Sequence, residues 1–341
     1  MTAPRIALAC LVAGSAWLAG CADTGSDDEI TVYSSRQEHL LQPLLDRYSE
    51  ETGTPVRLVT DSAGALLQRL QAEGENTPAD MLITVDAGNL WQAADLGLLR
   101  AIESPTLADN IPAHLRDPEG RWYGLSVRAR TIVYATDRVD PSELSTYAAL
   151  AGDEWRNRLC LRTSKKVYNQ SLVAMMIVQR GEERTEEIVR GWVDNLAAPP
   201  FANDVAVMEA IRAGQCDVGI VNSYYFGRLQ KEEPDIPLAL HWANQDAEGR
   251  ARGVHVNISG GGVVRHTGNA EGATALLAWL SAGEAQHLFA ALNLEFPANP
   301  AVAPADQVAA WGEFTPNPIN VAKAGELQTE AVKLMDRAGY R

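Results

Sequence analysis

Past residue 29 the chain alternates short apolar runs with segments whose apolar residues recur at helical spacing. This alternation constrains the fold more than any other feature. Residues 30–33 read as a buried strand. Residues 38–49 place Leu41, Leu44, Leu45 and Tyr48 on one helical face and stop near Gly53. Then come a strand at 56–59, a helix at 63–72 carrying Leu66, Leu67 and Leu70, a strand at 81–85 and a helix at 87–98. Strands and helices alternating at this spacing predict a parallel α/β sheet. Further on, strands are expected at 131–134, 159–162, 217–222, 238–242 and 254–258, and helices at 170–179, 183–195 and 205–213. From Ala273 the pattern is mainly helical, broken by proline-rich stretches at 297–304 and 316–318.

The first residues read differently. Arg5 precedes an apolar run, residues 6–18, which meets Leu18-Ala19-Gly20-Cys21. A basic residue, a short apolar stretch and small closing residues describe an export leader over 1–20. The run is shorter than the ~20 apolar residues that a spanning helix needs. Leu-Ala-Gly-Cys resembles the bacterial lipobox, which implies that Cys21 carries lipid and anchors the protein to a membrane at the cell surface or in the periplasm. Residues 21–29 are small, acidic and Gly/Ser-containing, suited to a tether.

Roughly 320 residues then remain, a length that favours two cores over one. Two α/β lobes are expected, with the chain crossing near 127–131 and 257–261. The first lobe takes 30–128 with 258–341, and the second 129–257. Gly260-Gly261-Gly262 suits a bend where backbones approach closely. It is no phosphate loop, since GxxxxGK[ST] spacing is absent.

Charge and motifs narrow the function. A formal charge of −15 disfavours nucleic acid and surface binding to anionic lipid, so a lipid anchor is the expected membrane contact. The six histidines lack HxxxH or HExxH spacing, no CxxC occurs, and GxSxG is missing. Zinc and a hydrolase elbow are therefore disfavoured, and the chain is read as a non-enzyme. Cys10 leaves with the leader, so Cys160 and Cys216 remain. An even pair in an oxidising compartment favours a disulfide; two separate buried thiols are the other reading.

Several segments carry a family likeness. They are Ile30-Thr31-Val32-Tyr33-Ser34-Ser35-Arg36, Pro78-Ala79-Asp80, Thr84-Val85-Asp86-Ala87-Gly88, Gly124-Leu125-Ser126-Val127-Arg128-Ala129-Arg130, Val167-Tyr168-Asn169-Gln170-Ser171 and Asn222-Ser223-Tyr224-Tyr225. The series resembles the periplasmic ferric-iron-binding proteins of ABC importers, close to the branch that includes the cyanobacterial iron-uptake proteins. The likeness runs from about residue 29 to the C-terminus. It implies a two-lobed periplasmic binding protein fold of type II, each lobe a mixed, mostly parallel sheet with flanking helices and the cargo held between lobes. It also implies a monomer that hands Fe(III) to a permease and its ATPase.

The resemblance places iron on Tyr224 and Tyr225, with Tyr168 as a third phenol. Fe(III) is a hard ion that prefers anionic oxygen, and a bound cation favours phenolate over phenol. Neighbouring side chains on a strand point to opposite faces. Tyr224 and Tyr225 can therefore share a ligand only where the strand has ended, and Asn222-Ser223 and Gly227 suggest a turn there.

In many family members a His, or a His-Tyr pair, opens the first helix; here Gln37 and Glu38 hold those places. Glu38 offers a hard donor instead, and His39 a second candidate one residue on; both also read as solvated helix-start residues. Another family pattern puts a Glu where Val85 stands, and neighbouring Asp86 reads as a helix cap. The family's anion-contacting arginine falls on Arg128, with Arg130 as a weaker candidate, for carbonate, citrate or another anion bound with the iron. The rival reading is the same architecture binding an organic anion or a polyamine without metal.

Overall fold

The computed structural model describes residues 28–341. The leader, Cys21 and most of the tether lie outside the described residues. The opening strand-helix alternation comes out as expected. β1 (Ile30–Ser34) leads through a 3₁₀ turn, Glu38–Leu40, to α1 (Gln42–Thr52), whose C-cap Gly53 takes a left-handed φ of 77°. β2 (Val56–Thr60) is followed by α2 (Ala63–Glu73), capped by Ser62. β3 (Met81–Val85) is followed by α3 (Ala87–Asp95), capped by Asp86. β1 pairs in parallel with β2 and β3.

After α4 (Pro105–Asn110) comes β4 (Tyr123–Ala135), thirteen residues, all buried. At ~3.3 Å per residue it runs roughly 40 Å, long enough to serve both halves of the molecule. The second half holds β5 (Leu159–Cys160), α5 (Val167–Arg180), α6 (Glu182–Asp194), α7 (Asp204–Arg212), β6 (Val218–Asn222), α8 (Ser223–Glu232) and β7 (Leu238–His241). β8 (His255–Val263) then returns antiparallel to β4, from Arg130 opposite His255 to Tyr123 opposite Gly261. α9 (Ala270–Leu280), α10 (Gly283–Ala291), β9 (Phe296–Pro297), α11 (Asp306–Ala309), α12 (Lys323–Glu326) and α13 (Gln328–Arg337) complete the chain.

The sheet order is β2-β1-β3-β8-β4-β6-β5. β8 pairs β3 on one side, and β4 pairs β6 and β7 on the other. The two crossing strands thus belong to both lobes. The sheet is mixed, as expected, with a smaller parallel share than expected: β1 with its two neighbours and β5 with β6 are the parallel pairs. The long β4 and β8 enter each lobe antiparallel, which a strand-helix count cannot reveal.

Three further expectations change. Gly260, Gly261 and Gly262 lie inside β8 rather than at a bend, and close approach alone explains them. A Cβ on Gly260 would stand 2.5 Å from the Tyr123 carbonyl oxygen, and one on Gly262 2.3 Å from that of Arg121. The C-terminal helices do not all join the first lobe. α9 and α10 lie under α1, with Trp279 against Tyr48 and Glu284 paired to Arg47. α13 instead packs on the second lobe, where Arg337 pairs with Glu182 and Glu186. Gly227 marks no turn: it sits in α8, where a Cβ would meet the Trp311 ring at 2.5 Å. Cys160 and Cys216 are joined by a disulfide, Cα atoms 6.0 Å apart, tying β5 to the residues before β6.

Candidate metal centre

Two helices start at one place. β6 ends at Asn222 and α8 begins at Ser223, so Tyr224 and Tyr225 occupy its first turn. Their rings lie 4.3 Å apart between centroids. α5 begins at Val167, which puts Tyr168 in its first turn as well. The Tyr224 hydroxyl donates to the Tyr168 oxygen at 3.3 Å, and the Asn222 side-chain amide donates to the Tyr224 oxygen at 3.4 Å. The three tyrosines thus stand on the first turns of two helices, the positive ends of their dipoles, where anionic groups are favoured. The expected turn is replaced by a helix start, which equally frees the pair from strand alternation.

Tyr168 and Tyr224 are buried and Tyr225 is half-buried. Burial pushes the Tyr224 phenol well above its ordinary pKa, and the neighbouring phenolates Tyr168 and Tyr225 would push it further. Burial also raises Tyr168, against the opposing pull of the Arg128 guanidinium. Both phenols are thus neutral near pH 7 unless a strongly charged cation takes the proton's place.

Positive charge surrounds the phenols. The Arg128, Arg162 and Lys166 cations lie 5.2, 5.5 and 5.1 Å from the Tyr168 ring centre. Arg228 lies 5.3 Å from that of Tyr224 and 5.9 Å from that of Tyr225. Arg128 is buried; its Nη1 donates to Ser259 Oγ at 3.4 Å, and its Nη2 stands 3.7 Å from Asp86 Oδ2 with no hydrogen-bond partner. A buried guanidinium with an idle donor beside the phenols is suited to an anion.

Asp86 does more than cap α3. It accepts from the Gly88 N–H, from Ser171 Oγ on α5 and from Asn257 Nδ2 on β8, so it clips the two lobes together behind the site. Burial raises its carboxyl, and Arg128 works against that shift. His255, also buried here, is pushed down to about 3 by burial and then by Arg130 and Arg128, so it stays neutral. Asp86, Arg128, Arg130, Tyr168, Asn222, His255 and Asn257 line a gap too tight to admit a water molecule. Asn257 and Ser259 carried no signal in the sequence, because a lone polar residue in an apolar strand shows no partner, and Asn222 was read only as a turn residue.

Arg130 is corrected. Its five N–H donors all have protein acceptors: Asn169 Oδ1 twice, Asp204 Oδ2, Asn222 Oδ1 and the Ile220 carbonyl. No donor remains for an anion. Glu38 and His39 are exposed on the 3₁₀ turn after β1. Among the described residues no hydrogen bond or ion pair joins them to the tyrosines, and no group of three His, Cys, Asp or Glu side chains converges. A larger cavity of about 540 Å³, with Val127, Val256, Phe296 and Phe314 in its walls, has no phenol in its lining and does not contain the site.

Comparison with known proteins adds three findings. A family model described as bacterial extracellular solute-binding protein matches residues 44–316. Iron uptake protein A1 of Synechocystis sp. is 39% identical over 97% of this chain and 95% of its own length; iron uptake protein A2 of the same organism is 42% identical over 92% and 90%. A Trichodesmium FutA structure in complex with iron and citrate superposes with a TM-score of 0.88 at 42% identity, covering 92% of this chain and all of that one.

Proposed function

This chain belongs to the bacterial extracellular solute-binding protein family, and on that premise we propose that it is the periplasmic ferric-iron-binding component of an ABC importer. The observation that carries the reading is the meeting of Tyr168, Tyr224 and Tyr225 at two helix starts beside a buried, under-used Arg128. Three phenolates would neutralise the charge of Fe(III), and the hard ion matches hard anionic oxygen. Arg128 is the partner for an accompanying anion such as carbonate or citrate. Glu38, or His39 one residue on, is the first-lobe donor in this reading, since both side chains are free at the C-terminal end of β1, where α/β sheets place ligands.

The cargo is held and released by ligand exchange, with no bond in it made or broken, so no catalysis is assigned. The reading includes delivery by a monomer to a permease and its ATPase, and anchoring through lipid on Cys21. The lobes are taken as 30–128 with 258–341, and 129–257, with α13 docked across onto the second.

The test is optical. Protein loaded with Fe(III) should be red to orange from phenolate-to-iron charge transfer. Tyr224→Phe with Tyr225→Phe should remove the colour while circular dichroism stays that of the parent. A parent chain that remains colourless after loading and shows no iron affinity by calorimetry would sink the reading, and the rival cargo, an organic anion or polyamine, would then be tried.

A further inference from the structure

α5 and α8 are distant in sequence, with Tyr168 and Tyr224 separated by 56 positions. Nothing local sets the distance between their first turns, yet the three phenols are useful only if that distance is held. One side chain spans it. Arg130 Nε and Nη2 both donate to Asn169 Oδ1, at 3.0 and 2.6 Å, next in sequence to Tyr168. Its Nη1 donates to Asn222 Oδ1 at 3.1 Å, the residue that starts α8. The charge is balanced by Asp204 Oδ2 at 3.1 Å, and that same oxygen accepts the Asn222 N–H at 3.1 Å. Asn169 is held from its other end too, by donation to the carbonyls of Arg162 and Thr163 and to Tyr340 Oη.

We propose that Arg130, paired with Asp204, is the positioning residue of the tyrosine site: it spaces the first turns of α5 and α8 and orients the Asn222 amide toward Tyr224. The orientation follows from chemistry. Arginine only donates, so Asn222 must turn its oxygen to Arg130. Its NH₂ group is then left facing the Tyr224 oxygen at 3.4 Å, and a donor there favours the phenolate. Stability alone does not call for such a pair. A buried ion pair replaced by apolar groups of similar volume often costs nothing. The inference rests on the ferric reading.

The test begins with Arg130→Lys. Lysine keeps the charge but radiates its donors from one point and cannot serve Asn169, Asp204 and Asn222 together. Chelator competition for Fe(III), the visible charge-transfer band and circular dichroism are measured side by side. The variant is expected to fold, to lose roughly ten- to a hundredfold in iron affinity and to shift or weaken its band. Asn222→Ala, which leaves Arg130 paired with Asp204 and Asn169, should move the band the same way with a smaller loss of affinity. If Arg130→Lys does not fold, Asn222→Ala decides alone. A folded variant with the parent's band and affinity overturns the proposal. A parent chain that takes up no iron overturns the ferric reading and this inference with it, an outcome visible before any variant is made.

Discussion

At the scale of single residues the site is a set of phenols that burial keeps protonated. Tyr168 and Tyr224 are both raised, so at neutral and acidic pH the iron-free protein carries their protons. Iron binding must expel them, and the sign follows: affinity rises with pH and falls as acid is added. Competition against a chelator, corrected for the chelator's own protonation, should show a loss of about tenfold per pH unit for each phenol deprotonated on binding. An affinity independent of pH would mean that neutral phenols or other groups hold the metal. Tyr224 and Tyr225 were legible as candidates because adjacency after a strand is unusual, and Tyr168 because its motif resembles the iron-uptake branch. Arg130 was the weaker anion candidate, with a structural ion pair as its other reading, and its contacts are those of the ion pair. Its acceptors lie 39, 74 and 92 positions away, and a charged residue in an apolar run reads the same whether it faces a ligand or a buried carboxylate.

At the scale of elements most strands and helices could be read from periodicity, and the errors fell where charge or brevity hid the pattern. β4 was expected only at 131–134, because Arg128 and Arg130 interrupt its apolar run; buried partners absorb both charges and the strand runs on to thirteen residues. α8 was read as a turn because Asn222-Ser223 and Gly227 look like turn residues. Gly227 is instead the flat place where Trp311 lies against the helix. The disulfide acts at this scale as well. It closes a loop between β5 and β6 with a sequence separation of 56, and the chain-entropy account gives about 4 kcal/mol. Reduction should lower the denaturant midpoint accordingly, and a midpoint unmoved by reductant would place those cysteines outside the stability of the second lobe. Because α5 and α8, which carry the tyrosines, belong to that same lobe, iron affinity after reduction should fall only when unfolding begins.

At the scale of the whole molecule two strands, β4 and β8, hold both lobes in one sheet, and Asp86 pins first-lobe α3 to α5 and β8 behind the tyrosines. The phenols all come from helices of the second half, α5 and α8, so under the proposed reading that lobe takes iron before the first lobe contributes. The proposed anchor belongs to this scale too, and it has its own test. Cys21→Ser should move the protein from the membrane to the soluble fraction, and unchanged membrane association would refute the anchor. The amino-acid sequence by itself determined the α/β class, which rests on periodicity, a local quantity, and it put forward the three tyrosines and the two crossing regions as candidates. Only the tertiary structure decided which strand pairs in the mixed sheet are antiparallel, that α13 packs on the second lobe, and that every Arg130 donor is taken by protein acceptors. The physical reason is common to all three: each depends on which distant group satisfies a buried charge, backbone or apolar face. That choice is made when water is excluded, and the spacing of residues along the chain does not record it.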